Sequence, residues 1–279
     1  MSDPPPNGFD PAIADFYDRT PEETRLEQGP FQLEEARTRE LIHRFAPPAP
    51  AIVLDVGGAA GAYALSLAAA GYTVHLMDAA PRLVAEAERR SSLAERPLAS
   101  CRIGDARALD VPDATAHIVL LLGPLYHLTE ASDRTRALNE ARRVLRPGGW
   151  LFAAAISRYA SALDGLARNL LDDPRFERIV NRDLRDGQHR NPTDRPDYFT
   201  TAYFHRPDEL AKEIRAAGLT LKGVYGIEGP GWILPDVVER MVEPQRREAL
   251  LRVAGMLESE STVLGTSAHL LAVGQRPGR

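Results

Sequence analysis

The sequence is poor in lysine, cysteine and aromatic residues. Only Lys212 and Lys222 are lysines, so arginine carries nearly all the positive charge, and the formal net charge is −5. Charges of both signs are mixed along the chain, and no basic stripe is available to phosphates, which argues against a nucleic-acid partner. The single cysteine, Cys101, excludes an intramolecular disulfide and is typical of a reducing compartment.

The sequence also lacks long hydrophobic runs. No run approaches the roughly 20 apolar residues that cross a bilayer, and the start, MSDPPPNGFDP, lacks the basic and apolar regions of a secretory signal. These absences predict a cytoplasmic protein with no membrane partner. The overall balance, 44% hydrophobic and 26% charged, is that of an ordinary globular protein. No spacing of His, Cys and carboxylate residues predicts a metal site.

The chain from residue 51 to residue 155 alternates between apolar runs and helix-forming runs. Such alternation predicts a parallel sheet with right-handed crossovers. The predicted strands are 51–56, 73–77, 99–103, 117–122 and 150–155. The predicted helices between them are 61–70, 82–94 and 131–145. Ligands of such sheets bind at the carboxyl ends of the strands, where Asp55, Asp78, Asp105 and Gly123 stand in this interpretation.

The remaining chain is less regular. An amphipathic helix is predicted over 32–45. It belongs to an N-terminal helical segment that spans residues 1–48, and the main predicted domain spans residues 49–279. A helix over 207–218 and strands over 219–227 and 267–274 predict an antiparallel pair at the sheet edge. Two insertions, at about 158–206 and 229–262, are expected to form a cap, because long irregular segments beside a cleft often act as lids.

The stretch VLDVGGAAGAYAL, residues 53–65, joins a strand to a helix through a glycine turn. In this layout the backbone N–H groups at the helix start face a ligand. The dinucleotide fingerprint G-x-G-x-x-G is absent, because Ala59 and Ala60 stand where it requires glycine. Ala59 fits the turn if its φ is negative.

Several motifs in order resemble the class I S-adenosylmethionine-dependent methyltransferases. The turn Asp55–Gly61 resembles the acid-x-Gly-x-Gly-x-Gly loop of that family, with Ala59 in place of the middle glycine. The other matching motifs are Asp78, Gly104-Asp105-Ala106, Leu125-Tyr126-His127-Leu128 and Arg146-Pro147-Gly148-Gly149. The resemblance implies a Rossmann-like, doubly wound, mostly parallel α/β sheet of seven strands with an antiparallel edge strand. It also implies S-adenosylmethionine as cofactor and a methyltransferase domain over 49–279.

The resemblance also implies roles for the residues at the strand ends. Asp55 would draw the ligand's ammonium group, Asp78 would accept from the ribose hydroxyls, and Asp105 would accept from the adenine amine. The full set of candidate cofactor-binding residues is Asp55, Gly57, Gly58, Gly61, Asp78, Asp105, Ala106 and Leu122.

The candidate catalytic residues are Tyr126 and His127, which follow the fourth strand; a histidine at this place can act as an acid or base or simply pack. The loop Leu122–Tyr126 resembles the Asn/Asp-Pro-Pro-Tyr loop of nucleobase methyltransferases, but Gly123 stands at the acceptor position, which argues against a nucleobase substrate.

The candidate acceptor-binding residues are mostly aromatic. Aromatic walls favour an apolar or aromatic small molecule, although the same residues could pack the insertion onto the body. The set is Tyr17, Tyr198, Phe199, Tyr203, His205 and Trp232.

The sequence therefore predicts an enzyme that moves the methyl group of S-adenosylmethionine to an O or N nucleophile of a small molecule. Two alternatives stay open at this point. One is a non-catalytic protein that binds S-adenosylmethionine or a partner on the same fold, and the other is a nicotinamide-dependent oxidoreductase.

Overall fold

The computed structural model describes residues 10–278; residues 1–9 of the predicted N-terminal segment lie outside the described residues. Strands form where β-branched and other apolar residues run between glycine and proline turns. The strands of the described part are β1 (Ile52–Val56), β2 (Thr73–Asp78), β3 (Ser100–Ile103), β4 (Ala116–Leu121), β5 (Leu145–Ser157), β6 (Gln188–His189), β7 (Ala202–His205), β8 (Thr220–Gly226) and β9 (His269–Gln275).

The main sheet has the strand order β3-β2-β1-β4-β5-β9-β8. The first five of these strands are parallel, and β9 is antiparallel to both β5 and β8. The antiparallel strand is therefore next to the edge, and β8 forms the edge itself. The short strand β7 pairs in parallel with the end of β5 at Ile156 and Ser157, and β6 pairs with β7. The fold class predicted from the sequence is confirmed.

The helices lie close to their predicted bounds. Proline occupies the first turn of α1, α4, α9 and α11, where its missing N–H costs nothing. The helices of the described part are α1 (Pro11–Arg19), α2 (Phe31–Phe45), α3 (Ala62–Ala69), α4 (Pro81–Leu93), α5 (Pro124–His127), α6 (Ala131–Val144), α7 (Ala160–Ala167), α8 (Pro174–Asp186), α9 (Pro207–Ala216), α10 (Val237–Val242) and α11 (Pro244–Leu257). Single 3-10 turns stand at Glu22–Glu27, Leu170–Asp172, Pro196–Tyr198, Gly229–Ile233 and Leu264–Thr266.

The sheet is covered on both faces, so its central strands are apolar on both sides. Successive residues of β1 point to opposite faces: Val53 packs among residues of α2 and α3, and Leu54 packs among residues of α6 and α9. The carboxyl edge of the parallel strands is left between these layers, which is where a ligand site is expected.

The two predicted insertions have small cores of their own. Residues 158–206 hold α7 and α8, which pack Phe176, Ile179 and Val180 around Tyr198. Residues 229–262 hold α10 and α11, whose apolar residues pack on Leu33 of α2. Among residues 10–278 there is no helix of the length and apolarity that crossing a bilayer requires.

Candidate functional site

A cavity of about 1000 Å³ opens at the carboxyl ends of β1, β2 and β4. Its roof is the N-terminal segment, formed by α1 and the turn Glu22–Glu27. Most of the residues predicted to bind the cofactor or to act in catalysis line it. They are Asp55, Gly57, Gly58, Asp78, Asp105, Ala106, Leu122, Tyr126 and His127, together with Tyr17 from the acceptor set. Because the carboxyl ends of parallel strands meet at one edge of the sheet, residues from separate parts of the chain lie together in this cavity.

Asp55 ends β1 with a side chain that is almost fully buried. Its Oδ2 has no hydrogen-bond partner among residues 10–278. Burial and, to a smaller degree, the neighbouring carboxylate of Asp78 raise the pKa of Asp55 to about 7. A buried carboxylate without a donor is costly, so this oxygen is prepared for a cationic or hydrogen-bond-donating ligand.

Asp78, at the end of β2, holds the turn that carries the glycines. Its two carboxylate oxygens accept from the backbone N–H groups of Ala59 and Ala80, each at 2.8 Å. Burial raises the pKa of Asp78, and these backbone hydrogen bonds oppose that rise. Each carboxylate oxygen has further lone pairs, so Asp78 can bind a ligand hydroxyl while it orients the turn.

The condition under which Ala59 is expected to fit the turn, a negative φ, is not met. Ala59 adopts φ +46°, a left-handed conformation that costs a residue with a Cβ about 1–2 kcal/mol. The Ala59 N–H bond to Asp78 helps to stabilise the turn in this conformation.

The glycines of the turn are required chiefly by the protein itself. Gly57 has φ +73°, and a Cβ there would stand 2.5 Å from Cδ of Pro124. A Cβ on Gly58 would stand 2.8 Å from Oδ2 of Asp55. Gly61 does not line the cavity: it starts α3 with φ +85°. The turn therefore fits closely between β1, Asp55 and the loop after β4.

Asp105 reaches the cavity with its carboxylate already paired. The guanidinium of Arg107 donates to both carboxylate oxygens, the shortest contact being 2.6 Å, and also bonds Asp133 at 2.7 Å. The adjacent Ala106 and, after β4, Leu122 form apolar parts of the wall. An adenine amine at Asp105 would share the carboxylate with Arg107, so the predicted contact is weaker than that of an unpaired acid.

His127, at the end of α5, contacts Tyr17 of α1 in the cavity wall. The Tyr17 phenol lies 2.6 Å from His127 Nε2, and His127 Nδ1 lies 3.3 Å from the carbonyl oxygen of Thr201. Burial lowers the pKa of His127 to about 4 and raises that of Tyr17. Both groups are therefore neutral at pH 7, and the contacts fit a tautomer in which Nδ1–H donates to Thr201 and Nε2 accepts from Tyr17.

Tyr126 lines the same wall, one residue before His127, with ring centroids 4.7 Å apart. Burial raises the pKa of the Tyr126 phenol. The pair of neutral, buried phenols, Tyr17 and Tyr126, flanks the imidazole on both sides.

A second polar group in the cavity wall was missed by the sequence reasoning. Arg25 donates to both carboxylate oxygens of Glu34 at 2.7 and 3.2 Å, and to Glu22 at 2.9 Å. His269 Nδ1–H donates to Glu228 at 2.6 Å and lies 3.8 Å from Glu34. The positions of two of these residues in the sequence could have indicated them. Glu228 follows β8 and His269 starts β9, which runs antiparallel to β5 and β8, so both stand at the carboxyl edge of the parallel strands.

The aromatic residues predicted for the acceptor site, apart from Tyr17, do not line the cavity. Tyr198 is buried in the core of the first insertion, where its hydroxyl donates to Asp173 at 2.8 Å. The ring of Tyr203 lies under the guanidinium of Arg134, 3.8 Å from the ring centroid. Tyr198 stands in the 3-10 turn before β7 and packs on α8, whereas Tyr203 lies within β7, and neither ring reaches the cavity.

The other three residues predicted for the acceptor site also make their contacts outside the cavity. His205 is fully buried, with Nε2 3.1 Å from Glu213. The indole N–H of Trp232 donates to the carbonyl oxygen of Thr266 at 2.8 Å. Phe199 packs edge-on against Phe16 of α1, with centroids 5.3 Å apart, and so supports the roof from behind.

The donor groups of S-adenosylmethionine match this set of acceptors. The molecule carries an ammonium group, two ribose hydroxyls and an adenine amine, and the cavity offers the unpaired oxygen of Asp55, the carboxylate of Asp78 and the shared carboxylate of Asp105. A volume of about 1000 Å³ exceeds what one such cofactor needs and leaves space for a second small molecule.

Comparisons with known proteins agree with this site. A family model described as a methyltransferase domain matches residues 53–149. Ubiquinone biosynthesis O-methyltransferases from Xanthomonas axonopodis pv. citri and Chromobacterium violaceum are 30% and 29% identical to this chain over 194 residues. These alignments cover 69% and 67% of this chain and 72% of each relative.

The same fold is found among solved structures. A SAM-dependent methyltransferase from Methanosarcina mazei matches with a TM-score of 0.58 and 16% identity, over 86% of this chain and 98% of that chain. The sequence matches, the fold and the acids at the strand ends lead to one conclusion. The chain belongs to the class I S-adenosylmethionine-dependent methyltransferases and is an enzyme that uses S-adenosylmethionine as its methyl donor.

Proposed function

We propose that the enzyme methylates a hydroxyl oxygen of a small molecule. The observation that carries this proposal is the neutral Tyr17–His127 pair in the cavity wall. A hydroxyl must lose its proton as its oxygen is methylated, whereas a neutral amine attacks before it loses one, so a positioned proton acceptor favours an oxygen nucleophile. The names of the two curated relatives, both O-methyltransferases, support the same choice.

The cofactor would be held by the strand-end residues. Asp55 would accept from its ammonium group, Asp78 from its ribose hydroxyls, and Asp105, shared with Arg107, from its adenine amine. The turn Gly57–Gly61 and the wall residues Ala106 and Leu122 would shape the space around it. When bound, S-adenosylmethionine supplies a methyl group on a positively charged sulfur, and the protein's main task is alignment of the acceptor with that methyl group.

The acceptor's proton would leave through Tyr17 to His127. As the acceptor oxygen forms its bond to carbon, its proton passes to the Tyr17 oxygen while Tyr17 gives its own proton to His127 Nε2. The Nδ1–H of His127 stays on the carbonyl oxygen of Thr201, which keeps the ring oriented. Tyr126 would pack against the acceptor beside this relay.

The acceptor space lies under the N-terminal segment. Apolar side chains from that segment and from the strand ends line it, which suits an apolar or aromatic body; they are Ile13, Leu26, Ala154 and Ile227. We infer that residues 11–27, within the N-terminal segment 1–48, act as a cover on the methyltransferase domain of residues 49–279. The insertion 158–206 would act indirectly, since Phe199 and Thr200 contact α1 and none of its residues lines the cavity.

Transfer of a labelled methyl group tests the proposal. Purified enzyme is incubated with methyl-labelled S-adenosylmethionine and a panel of small phenols, alcohols and amines, and mass spectrometry locates the label. We expect label on oxygen, and a decrease in kcat of about 10²–10⁴-fold in His127→Ala with unchanged affinity for S-adenosylhomocysteine.

His75→Ala is the matched control, because His75 bonds Ser100 in the sheet and does not line the cavity. Label on nitrogen alone, or a full rate in His127→Ala, would show that the proposal is wrong.

A further inference from the structure

His269 occupies a position that the proposed reaction does not use. It is the first residue of β9 and lines the cavity with a side chain that is 17% exposed. Three other elements contribute its neighbours: Glu228 follows β8, Glu34 lies in α2, and Arg25 lies in the turn Glu22–Glu27. Arg25 and Glu34 lie near the start of the chain and Glu228 and His269 lie near its end, so the folded sheet and its roof create the group.

The two carboxylates fix the charge and the orientation of His269. Burial alone would lower the pKa of His269, but Glu34 and Glu228 outweigh it and raise the pKa to about 9. The ring is therefore an imidazolium at pH 7. Glu228 is itself fixed, because it also accepts from the hydroxyl of Ser267 at 2.7 Å and from the backbone N–H of His269 at 3.0 Å.

One donor of the imidazolium remains for a ligand. Nδ1–H is taken by Glu228, and Nε2 has no hydrogen-bond partner among residues 10–278. A charged N–H at a cavity wall is a strong donor for an oxygen acceptor.

The position of β9 assigns this donor to the acceptor molecule and not to the cofactor. In the strand order β1-β4-β5-β9, β9 lies three strand spacings from β1, or about 14 Å. The acids that match the cofactor, Asp55 and Asp78, end β1 and β2, on the far side of β4. His269 therefore stands at the opposite end of the cavity from the cofactor's nucleoside part.

The charge around His269 selects the kind of oxygen. Three carboxylates, Glu22, Glu34 and Glu228, surround the two cations Arg25 and His269. A ligand carboxylate placed at His269 would meet this surplus of negative charge, whereas a neutral carbonyl oxygen would not.

We propose that the Nε2–H of His269 binds a neutral carbonyl oxygen of the methyl acceptor, so that the enzyme selects hydroxylated ketones, quinone-like rings or similar carbonyl compounds. The inference rests on the proposed function, since it gives the acceptor a second anchor besides its hydroxyl. Glu228 and Glu34 are the positioning residues for His269.

A metal ion is the competing interpretation of the same side chains. The ligand atoms of Glu34, Glu228 and His269 lie within 4.8 Å of one another. Glu34 is already bonded to Arg25, and Glu228 to the charged ring of His269, so a divalent cation would have to displace both of these partners. The recognition role needs no such displacement and is therefore favoured.

Binding to the enzyme saturated with S-adenosylhomocysteine tests the proposal. The probes are para-hydroxyacetophenone, para-ethylphenol, which replaces the carbonyl by a methylene, and para-hydroxybenzoate, which replaces the ketone by a carboxylate. Calorimetry is expected to show the ketone binding about tenfold more tightly than para-ethylphenol and more tightly than the benzoate. His269→Phe should remove the preference for the ketone without weakening para-ethylphenol.

Two further variants protect the test against misfolding and indirect effects. His269→Gln keeps an amide N–H near the position of Nε2, so it should retain part of the preference. His75→Phe alters a histidine outside the cavity and should retain all of it. The proposal is overturned if no ketone preference exists in the natural enzyme, if His269→Phe keeps it, or if zinc binds tightly and His269→Phe abolishes that binding.

A negative result in this binding test can be distinguished from a negative result in the methyl-transfer test. The readout here is binding, which is defined even if the label appears on nitrogen. Oxygen methylation with an unchanged ketone preference in His269→Phe would leave the proposed function standing and overturn only the role of His269.

Discussion

The phenol of Tyr17 and the Nε2 atom of His127 lie 2.6 Å apart, although 110 residues separate them in the chain. This contact fastens α1, in the roof of the cavity, to α5 at its wall. A second fastening is provided by Arg82 of α4, which donates to the carbonyl oxygens of Tyr17 and Thr20 at 2.7 and 3.3 Å. Both contacts hold the roof against the walls of the cavity.

We predict that Tyr17→Phe loosens the roof. The variant loses one hydrogen bond of about 1 kcal/mol, so amide hydrogen exchange should become severalfold faster in residues 11–27 and stay unchanged in the strands. Tyr72→Phe is the control, since the Tyr72 hydroxyl donates to Pro47 O at 2.8 Å and does not line the cavity. Equal exchange in residues 11–27 of the natural protein and Tyr17→Phe would contradict the prediction.

Asp78→Ala should weaken S-adenosylhomocysteine binding by more than tenfold. The reason is the loss of hydrogen bonds from the ribose hydroxyls to a charged group, each of about 1.5–3 kcal/mol, and of the N–H bonds that hold Ala59 and Ala80. Asp173→Ala is the control, because Asp173 also caps a backbone N–H, that of Arg175, but outside the cavity. Calorimetry measures both variants, and an unchanged affinity in Asp78→Ala would refute the assignment.

Gly57→Val should give a folded protein that no longer binds the cofactor. A side chain at Gly57 would collide with Pro124 and displace the turn, in addition to the strain of its positive φ. Gly148→Val separates these effects, since Gly148 has φ +79° and open space around its missing Cβ. We expect Gly148→Val to lose about 1–2 kcal/mol of stability and to bind S-adenosylhomocysteine normally; binding by Gly57→Val would place the cofactor elsewhere.

The affinity for S-adenosylhomocysteine should fall as the pH falls below 7. The pKa of Asp55 is raised from 3.8 to about 7 in the protein without ligand, whereas contact with the ligand's ammonium group favours the charged carboxylate. Binding therefore releases a proton below pH 7, and affinity should decrease by up to tenfold for each pH unit below that value.

Variants of Asp55 and of an exposed acid test whether Asp55 is the group that releases this proton. Asp55→Asn should bind more weakly at pH 7 and show no such slope between pH 5.5 and 7, while Asp113→Asn, a change at an exposed acid, should keep it. Calorimetry in buffers of different ionisation enthalpy counts the released proton. A flat profile in the natural protein would mean that Asp55 does not meet the ammonium group.

The raised pKa of Asp55 also has a consequence for the ligand-free protein. A carboxyl group with a folded pKa above its unfolded value contributes stability at low pH and loses it as the pH rises from about 3.8 to about 7. We expect Asp55→Asn to flatten this part of the dependence of Tm on pH, as measured by calorimetry. An equally steep decrease in Asp55→Asn would show that another group is responsible.

The alternation of strands and helices, and the acids at the carboxyl ends of β1, β2 and β3, can be predicted from the sequence alone. Glycine and proline mark the boundaries locally, and a parallel sheet gathers its carboxyl ends at one edge whatever the detailed packing. The sequence alone therefore predicts that Asp55, Asp78 and Asp105 lie in one cavity. His127 could be placed there too, because it follows β4 within a few residues.

Which other side chains reach that cavity depends on packing between distant parts of the chain. The aromatic run from Tyr198 to Phe204 does not reach the cavity, because Tyr198 packs on α8 and β7 pairs with β5 and β6, and contacts between distant segments leave no local signal. Ala59 took a positive φ because Asp78, 19 residues away, accepts its N–H. Arg25, Glu34, Glu228 and His269 meet only when the roof closes over the antiparallel strand β9, since charges from four separate elements are brought together by packing and not by spacing along the chain.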